Sequence, residues 1–317
     1  MLLVSRFYDI NRKILMFALV LIVLISTAPS MISGESTEQM ISFFDSSNNK
    51  KVNISMSEFL YGCVAAEMPA SFEEEALKAQ TIAILTYFLR KNGKNNVLSL
   101  NGGECCISNF CFKPIDEMEK YWGKNFETYK NKIEKAVDAV YGEVLYFGDE
   151  LALTLFHSSC CKKTVPCKLA FVQDLSYLQS VDSPEEPKKF KIEVEKSKLK
   201  KILKERFKDK EFSKKLDNTD AKDWIKILEK TDYGYICNLE ILGHKMKGSE
   251  FRNLLKLRSA TFEINYNSEK KIFEIEGFGY GHGAGMSQYG ANEYAKKGWK
   301  YDKILYHYYP GTKIKDM

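Results

Sequence analysis

Apolar and polar positions change rhythm several times along this chain, and each change marks an element. No charge interrupts Ile14 to Gly34, while Arg6, Arg12 and Lys13 stand just before it. About 20 uncharged residues suffice for a helix across a bilayer ~30 Å thick, and flanking cations favour a cytoplasmic N-terminus. The pattern predicts a cytoplasmic segment 1–13, a transmembrane anchor 14–34 and a linker 35–50, with residues 51–317 extracytoplasmic. A cleaved signal peptide is the rival, since Ser26 and Ala28 have the small-x-small look. Pro29 directly behind them argues against cleavage there.

Beyond the linker, VNISMSEFLYGCVAAEMP has the pattern of a short strand and then an amphipathic helix that stops before Pro69. Ser71 and Glu74 form an S-x-x-E capping box opening a second helix through Lys91. Its apolar positions Ala76, Leu77, Ile82, Ile84, Leu85, Phe88 and Leu89 make a broad buried face. KNGKNN ends it, a cysteine-bearing loop follows, and a further helix runs from about Phe126 to Val140. EVLYFGDELALTLFHSS alternates as a hairpin turning at Gly148-Asp149, and TFEINYNSEKKIFEIEG as another turning at Asn267-Ser268. Gln288 to Lys297 is a helix closed by Gly298. Helices and antiparallel pairs are mixed rather than alternating. The class is therefore α+β, with the elements gathered around a substrate groove.

At 317 residues and 44% hydrophobic, the chain can build one large or two ordinary domains. The formal net charge of +5 is no nucleic-acid signature, because acid and base are interspersed in the stretch of about 185–231. Such a run is a solvated helical face or an insertion.

The run FGYGHGAGMSQYG changes the picture more. Gly277, Gly279, Gly281, Gly283 and Gly285 fall on every second residue. In an extended strand they would share one bare face, with Phe278, Tyr280, His282 and Ala284 on the other. The spacing is not G-x-G-x-x-G and no G-K-[ST] follows, which speaks against a phosphate cradle. A tight bend, or a backbone laid against something flat, remains.

Three groups of residues carry candidate chemistry. Glu67 follows Val64, Ala65 and Ala66 and sits beside the chain break at Pro69. Burial would keep its carboxyl protonated, as a general acid requires; a satisfied buried glutamate is the alternative. Glu73, Glu74 and Glu75 occupy the first turn of the next helix, where carboxylates suit the dipole. His157 ends a strand beside Ser158 and Ser159 with no G-x-S-x-G elbow. Of eight cysteines, Cys105, Cys106 and Cys111 form one cluster and Cys160, Cys161 and Cys167 another. These are sources of zinc thiolates or of disulfides.

Three separated stretches resemble the stage II sporulation protein D family, related to the amidase enhancers. They are EMPASFEEEALKAQ, then FHSSCCKKT with YLQSVDSP, then KGSEFRNLLKLRSATF leading to GYGHGAGMSQYGANEYAKKG and ILYHYYPGTKI. The resemblance implies a membrane-anchored lytic transglycosylase cutting peptidoglycan glycan strands during engulfment, with Glu67 as the single acid/base. Ordinary glycosidases use two carboxylates; a lytic transglycosylase manages with one, the sugar's own 6-hydroxyl being the nucleophile. The resemblance further implies substrate contacts from His157, Ser158, Tyr280, Gly281, His282, Gly283, Ser287 and Gln288, the bare glycine face lying against the saccharide. It supports a structural zinc at Cys105 and Cys111, completed from Cys160 and Cys161, with no cofactor needed for catalysis; disulfides are the alternative. A cell-wall amidase and a membrane protein of the engulfment complex are the implied partners.

Two positions depart from the family pattern. Leu85 stands where A-R-T-Y would place arginine, and Cys161-Lys162 replace two glycines of H-S-x-x-G-G-x-T. The rival functions are a non-catalytic wall-binding or assembly protein on the same fold, and a zinc-dependent amidase using His157.

Overall fold

The computed structural model describes residues 40–45, 50–92, 97–99, 106–107, 110–171 and 173–317. The expected anchor 14–34 and Cys105 lie outside the described residues, and no described helix is long and apolar enough to cross a membrane. What is described is a mixed α+β fold with mainly antiparallel sheets.

Strand β1 (Met40–Asp45) pairs antiparallel with β2 (Lys50–Ser55). Ser55 then caps α1 (Met56–Glu67), its hydroxyl accepting from Glu58 N–H at 3.1 Å. Pro69 stops α1, and Met68 N–H closes the last turn on Val64 O. Helix α2 (Glu74–Asn92) is apolar nearly all round, with Leu77, Ile82, Ile84, Leu85 and Phe88 wholly buried. Such a helix belongs inside a bundle rather than on its surface. The expected capping box does not form: Ser71 stays exposed, and Glu73 N–H is met instead by Asn292 Oδ1 at 2.8 Å.

Strand β3 (Val97–Ser99) adds parallel to β1, and β4 (Cys106–Ile107) pairs with β5 (Phe110–Cys111) beside the end of α1. Helices α3 (Ile115–Trp122) and α4 (Phe126–Asp138) follow, then the hairpin β6 (Glu143–Phe147) and β7 (Glu150–Leu151). α3 was not expected; only Met118 and Trp122 of it are buried, too few to show a period.

Strand β8 (Phe156–His157) and the short helix α5 (Cys167–Ala170) lead into the charged stretch. That stretch is a solvated face only on its outside. It forms β9 (Lys189–Glu195), α6 (Lys196–Phe207), α7 (Lys210–Asn218) and β10 (Ile225–Lys230). Leu199, Leu203, Phe212, Leu216 and Trp224 enter a second hydrophobic core with residues of β11 (Ile236–Ile241) and β12 (His244–Lys247). Helix α8 (Gly248–Leu255) and the expected hairpin β13 (Phe262–Asn267) and β14 (Ile272–Phe278) complete that core, with β9 pairing along β14.

The expected glycine strand ends at Phe278. Gly279, Gly281, Gly283 and Gly285 all have positive φ, from 71° to 113°, so the run is a folded strap and not a flat ribbon. It delivers β15 (Met286–Ser287), parallel to β8, then α9 (Gln288–Lys296), α10 (Tyr301–Tyr308) and β16 (Lys313–Asp316), which pairs with β6. Helices α9 and α10 return to the first core and pack on α2.

Candidate active site

Glu67 is the last residue of α1, where the chain turns out at Met68-Pro69. Desolvation raises its carboxyl above the ordinary glutamate range. Cys111, through both its N–H and its thiol, and the Gln288 amide oppose this by favouring the charged form. Cys111 N–H donates to Oε1 at 3.3 Å, and the Gln288 amide faces the carboxyl from beyond ordinary hydrogen-bond length. Cys63, one turn earlier on α1, has its thiol pushed up by burial, then by Glu67 and Cys111. No second carboxylate among the described residues contributes to the Glu67 environment. Glu74 and Glu75 behave oppositely: Lys78 contacts both, at 2.9 and 3.1 Å, and both are held below the usual range. Glu67 is thus set apart from its acidic neighbours by its surroundings.

The two histidines are neutral and structural in their contacts. His157 is buried with Nδ1 3.1 Å from Ala284 O; a carbonyl only accepts, so the proton sits on Nδ1. Burial lowers its pKa to about 4. His282 accepts from Ala284 N–H at 3.1 Å through Nδ1, and burial, then His157 and Arg252, lower it to about 3.

The bare glycine face is not open to a saccharide, which corrects the expectation for Gly281 and Gly283. A Cβ at Gly281 would come within 2.8 Å of His157 Cβ, and one at Gly283 within 2.7 Å of Val165 Cγ2. At Gly285 it would overlap the carbonyl of Leu155. What approaches the glycines so closely is the chain's own segment 155–165. His157 and Ser287 are likewise buried and hold this packing together, so neither presents a side chain to substrate. Ser158 is half-buried and Tyr280 is 53% exposed, with Phe278 and Phe171 also exposed nearby in sequence or beside His282.

Both departures from the family pattern acquire a physical meaning. Leu85 lies in the core of α2, so position 85 offers no side chain to a groove. Lys162 adopts φ 67°, the left-handed backbone for which a glycine would be at ease, so the turn keeps its shape despite the substitution.

A residue not singled out in the sequence anchors the start of α9. Glu185 is 5% exposed, and its Oε1 accepts from Cys160 N–H at 2.9 Å, Cys160 Sγ at 3.3 Å and Ser287 Oγ at 2.6 Å. Ser287 in turn accepts from Gly290 N–H at 3.2 Å and so caps α9, whose first residue is Gln288. Nothing in S-P-E-E-P distinguishes buried Glu185 from exposed Glu186. Glu185→Ala removes the acceptor of three donors, of which Ser287 Oγ keeps another, Ser158 O at 3.4 Å, and is expected to cost about 3 kcal/mol of stability, read by thermal or urea unfolding. Glu185→Gln keeps an acceptor and should lose much less; equal losses would sink this account.

The expected zinc set is described only in part, because Cys105 lies outside the described residues. Among the described residues, no three His, Cys, Asp or Glu side chains converge on a metal position. Cys160 is engaged with Glu185, and Cys160, Cys161 and Cys167 stand as free thiols among the described residues. Burial raises the Cys160 and Cys161 thiols above their usual range.

Comparison with known proteins gives the site its context. A family model described as Stage II sporulation protein matches residues 45–147, the part holding Glu67 and the core helices. A second, of a domain of unknown function, matches residues 164–285. Stage II sporulation protein D of Bacillus subtilis is 33% identical over 300 residues, covering 92% of this chain and 84% of its own. The protein of that name from Bacillus amyloliquefaciens is 32% identical over 278 residues, covering 86% and 78%. An amidase enhancer of Bacillus subtilis is 27% identical over 300 residues, covering 80% of this chain and 40% of its own. The similarity runs through both cores and the strap that joins them, and the chain belongs to the stage II sporulation protein D family.

Proposed function

We propose that this chain is a lytic transglycosylase that cuts peptidoglycan between N-acetylmuramic acid and N-acetylglucosamine, leaving 1,6-anhydro ends. Family membership implies a role in sporulation; wall remodelling at engulfment, anchored through residues 14–34 and alongside an amidase and a membrane partner, is part of the proposal. The observation that carries it is the Glu67 carboxyl, raised by desolvation at the end of α1 with no second carboxylate among the described residues contributing to its environment.

A carboxyl kept protonated can give its proton to the glycosidic oxygen as the C1–O bond breaks. The carboxylate left behind needs stabilisation, which Cys111 N–H and the Gln288 amide are placed to supply. It then takes the proton of the sugar's 6-hydroxyl as that oxygen bonds to C1, and Glu67 returns to its starting form. Donor and acceptor roles fall to one residue in turn. The expected product of digesting purified glycan is muropeptides with 1,6-anhydro ends, read by mass spectrometry. Reducing ends formed by water, freed stem peptides or intact strands would each overturn the proposal.

A further inference from the structure

A groove of about 570 Å³ lies over one end of the β13–β14–β9 sheet, outside the Glu67 site. That volume suits one or two sugar units. At its near end Lys189 and Phe278 are cross-strand partners in the last register pair of β9 and β14, with the Phe278 ring 38% exposed. Lys230, from the end of β10, lines the same groove, as do Tyr233 and Cys161. Lys191 is matched by Glu276 at 2.9 Å, whereas Lys189 and Lys230 have no ion-pair partner among the described residues. Glu263 is the remaining acid, on β13 opposite Glu276. An exposed ring beside two unpaired ammonium groups fits a sugar that carries a carboxylate: the ring stacks on the pyranose, and the cations take the acid.

The groove is joined to the site through two consecutive residues. Lys188 places its ammonium 3.5 Å from the centre of the Tyr289 ring, and Tyr289 follows Gln288, which faces Glu67. Its neighbour Lys189 lines the groove. Lys188 O also accepts from Gly279 N–H at 2.8 Å, which fixes the strap between Phe278 and exposed Tyr280, where Arg258 lies 5.9 Å from the ring centre. Lys188 and Lys189 thus tie the residue after Gln288 to the lining of the groove.

We infer that this groove is a distal subsite for the glycan, holding a carboxylate-bearing sugar of the same strand by Lys189, Lys230 and Phe278. It rests on the glycan reading above and adds a charge requirement that the Glu67 site does not impose. The carboxylate has two possible sources, the lactyl group of muramic acid or a peptide attached to it.

The test uses the full chain carrying Glu67→Gln, with binding measured to size-fractionated glycan strands, either peptide-bearing or peptide-free. Adding Lys189→Glu and Lys230→Glu together should weaken binding about tenfold at low salt, and the difference should shrink as salt rises. Phe278→Ala should weaken it by a similar factor that salt does not change. A charge effect confined to peptide-free strands identifies the lactyl acid, and one confined to peptide-bearing strands identifies the peptide; either upholds the subsite. Strands that bind the parent and the charge-reversed protein equally overturn the subsite alone. Strands that do not bind the parent at all overturn the glycan reading itself.

Discussion

Glu67→Gln should abolish glycan cleavage while leaving the fold and glycan binding in place. Loss of a general acid/base costs typically about 10²–10⁴-fold. Here one residue serves both proton transfers, so the loss belongs at the upper end of that range. Glutamine keeps the shape and the acceptor for Cys111 N–H but cannot donate a proton to the leaving oxygen. The same variant tests the environment through stability. The folded carboxyl is raised above its unfolded value, so its contribution is fully present at low pH. That contribution is lost as pH rises through the folded pKa, because the unfolded chain releases the proton first. Glu67→Gln has no such proton and should be at least as stable as the parent at neutral pH, its advantage vanishing in acid. Near-normal turnover would make Glu67 structural. A variant markedly less stable at neutral pH would show that the carboxylate is satisfied and not strained by burial.

The second large effect concerns the strap. Gly285→Ala should destabilise the fold by about 4 kcal/mol, enough to lower the yield of folded protein. About 1–2 kcal/mol of this comes from φ of 71°, which an L side chain dislikes. The rest comes from overlap with the Leu155 carbonyl, a backbone group with little room to move. Gly148→Ala is the control: φ is 62°, but a Cβ there meets nothing within 4 Å, so only the backbone cost applies. Unfolding midpoints of the two variants separate the terms. If Gly285→Ala melts like the parent and loses only glycan affinity, the glycine face is open to substrate after all.

Period and punctuation were enough to locate α1, α2 and both hairpins, because each is a sustained apolar or alternating run that ends at a proline, a glycine or an asparagine. The same reasoning misplaced the glycine run. Alternation of glycine with larger residues is the signature of a one-sided strand, yet a strap with positive φ at every glycine after Gly277 writes the same letters. Only the neighbour on the bare side tells them apart, and that neighbour, residues 155–165, is remote in sequence. Glu67 was legible because its apolar surroundings are local. Gln288 entered only through the family motif, since nothing near it in the chain points to a carboxyl brought from the other end. Glu185 was hidden in a charged run, where burial of one acid and exposure of the next leave no trace in composition.

The cap that Asn292 places on α2 gives this fold a timetable. Its donor, Glu73, lies 219 positions earlier in the chain, and the strap must be seated between them before α9 can reach α2. Contacts of such span form late, after the local helices and hairpins. A chain growing from its N-terminus therefore makes Glu67 early but receives Gln288 only in its final stretch. Until then the acid lacks the amide that would steady its carboxylate, and α2 lacks part of its cover. On the mechanism proposed above, the nascent protein is thus an inert precursor of itself until its last stretch is made.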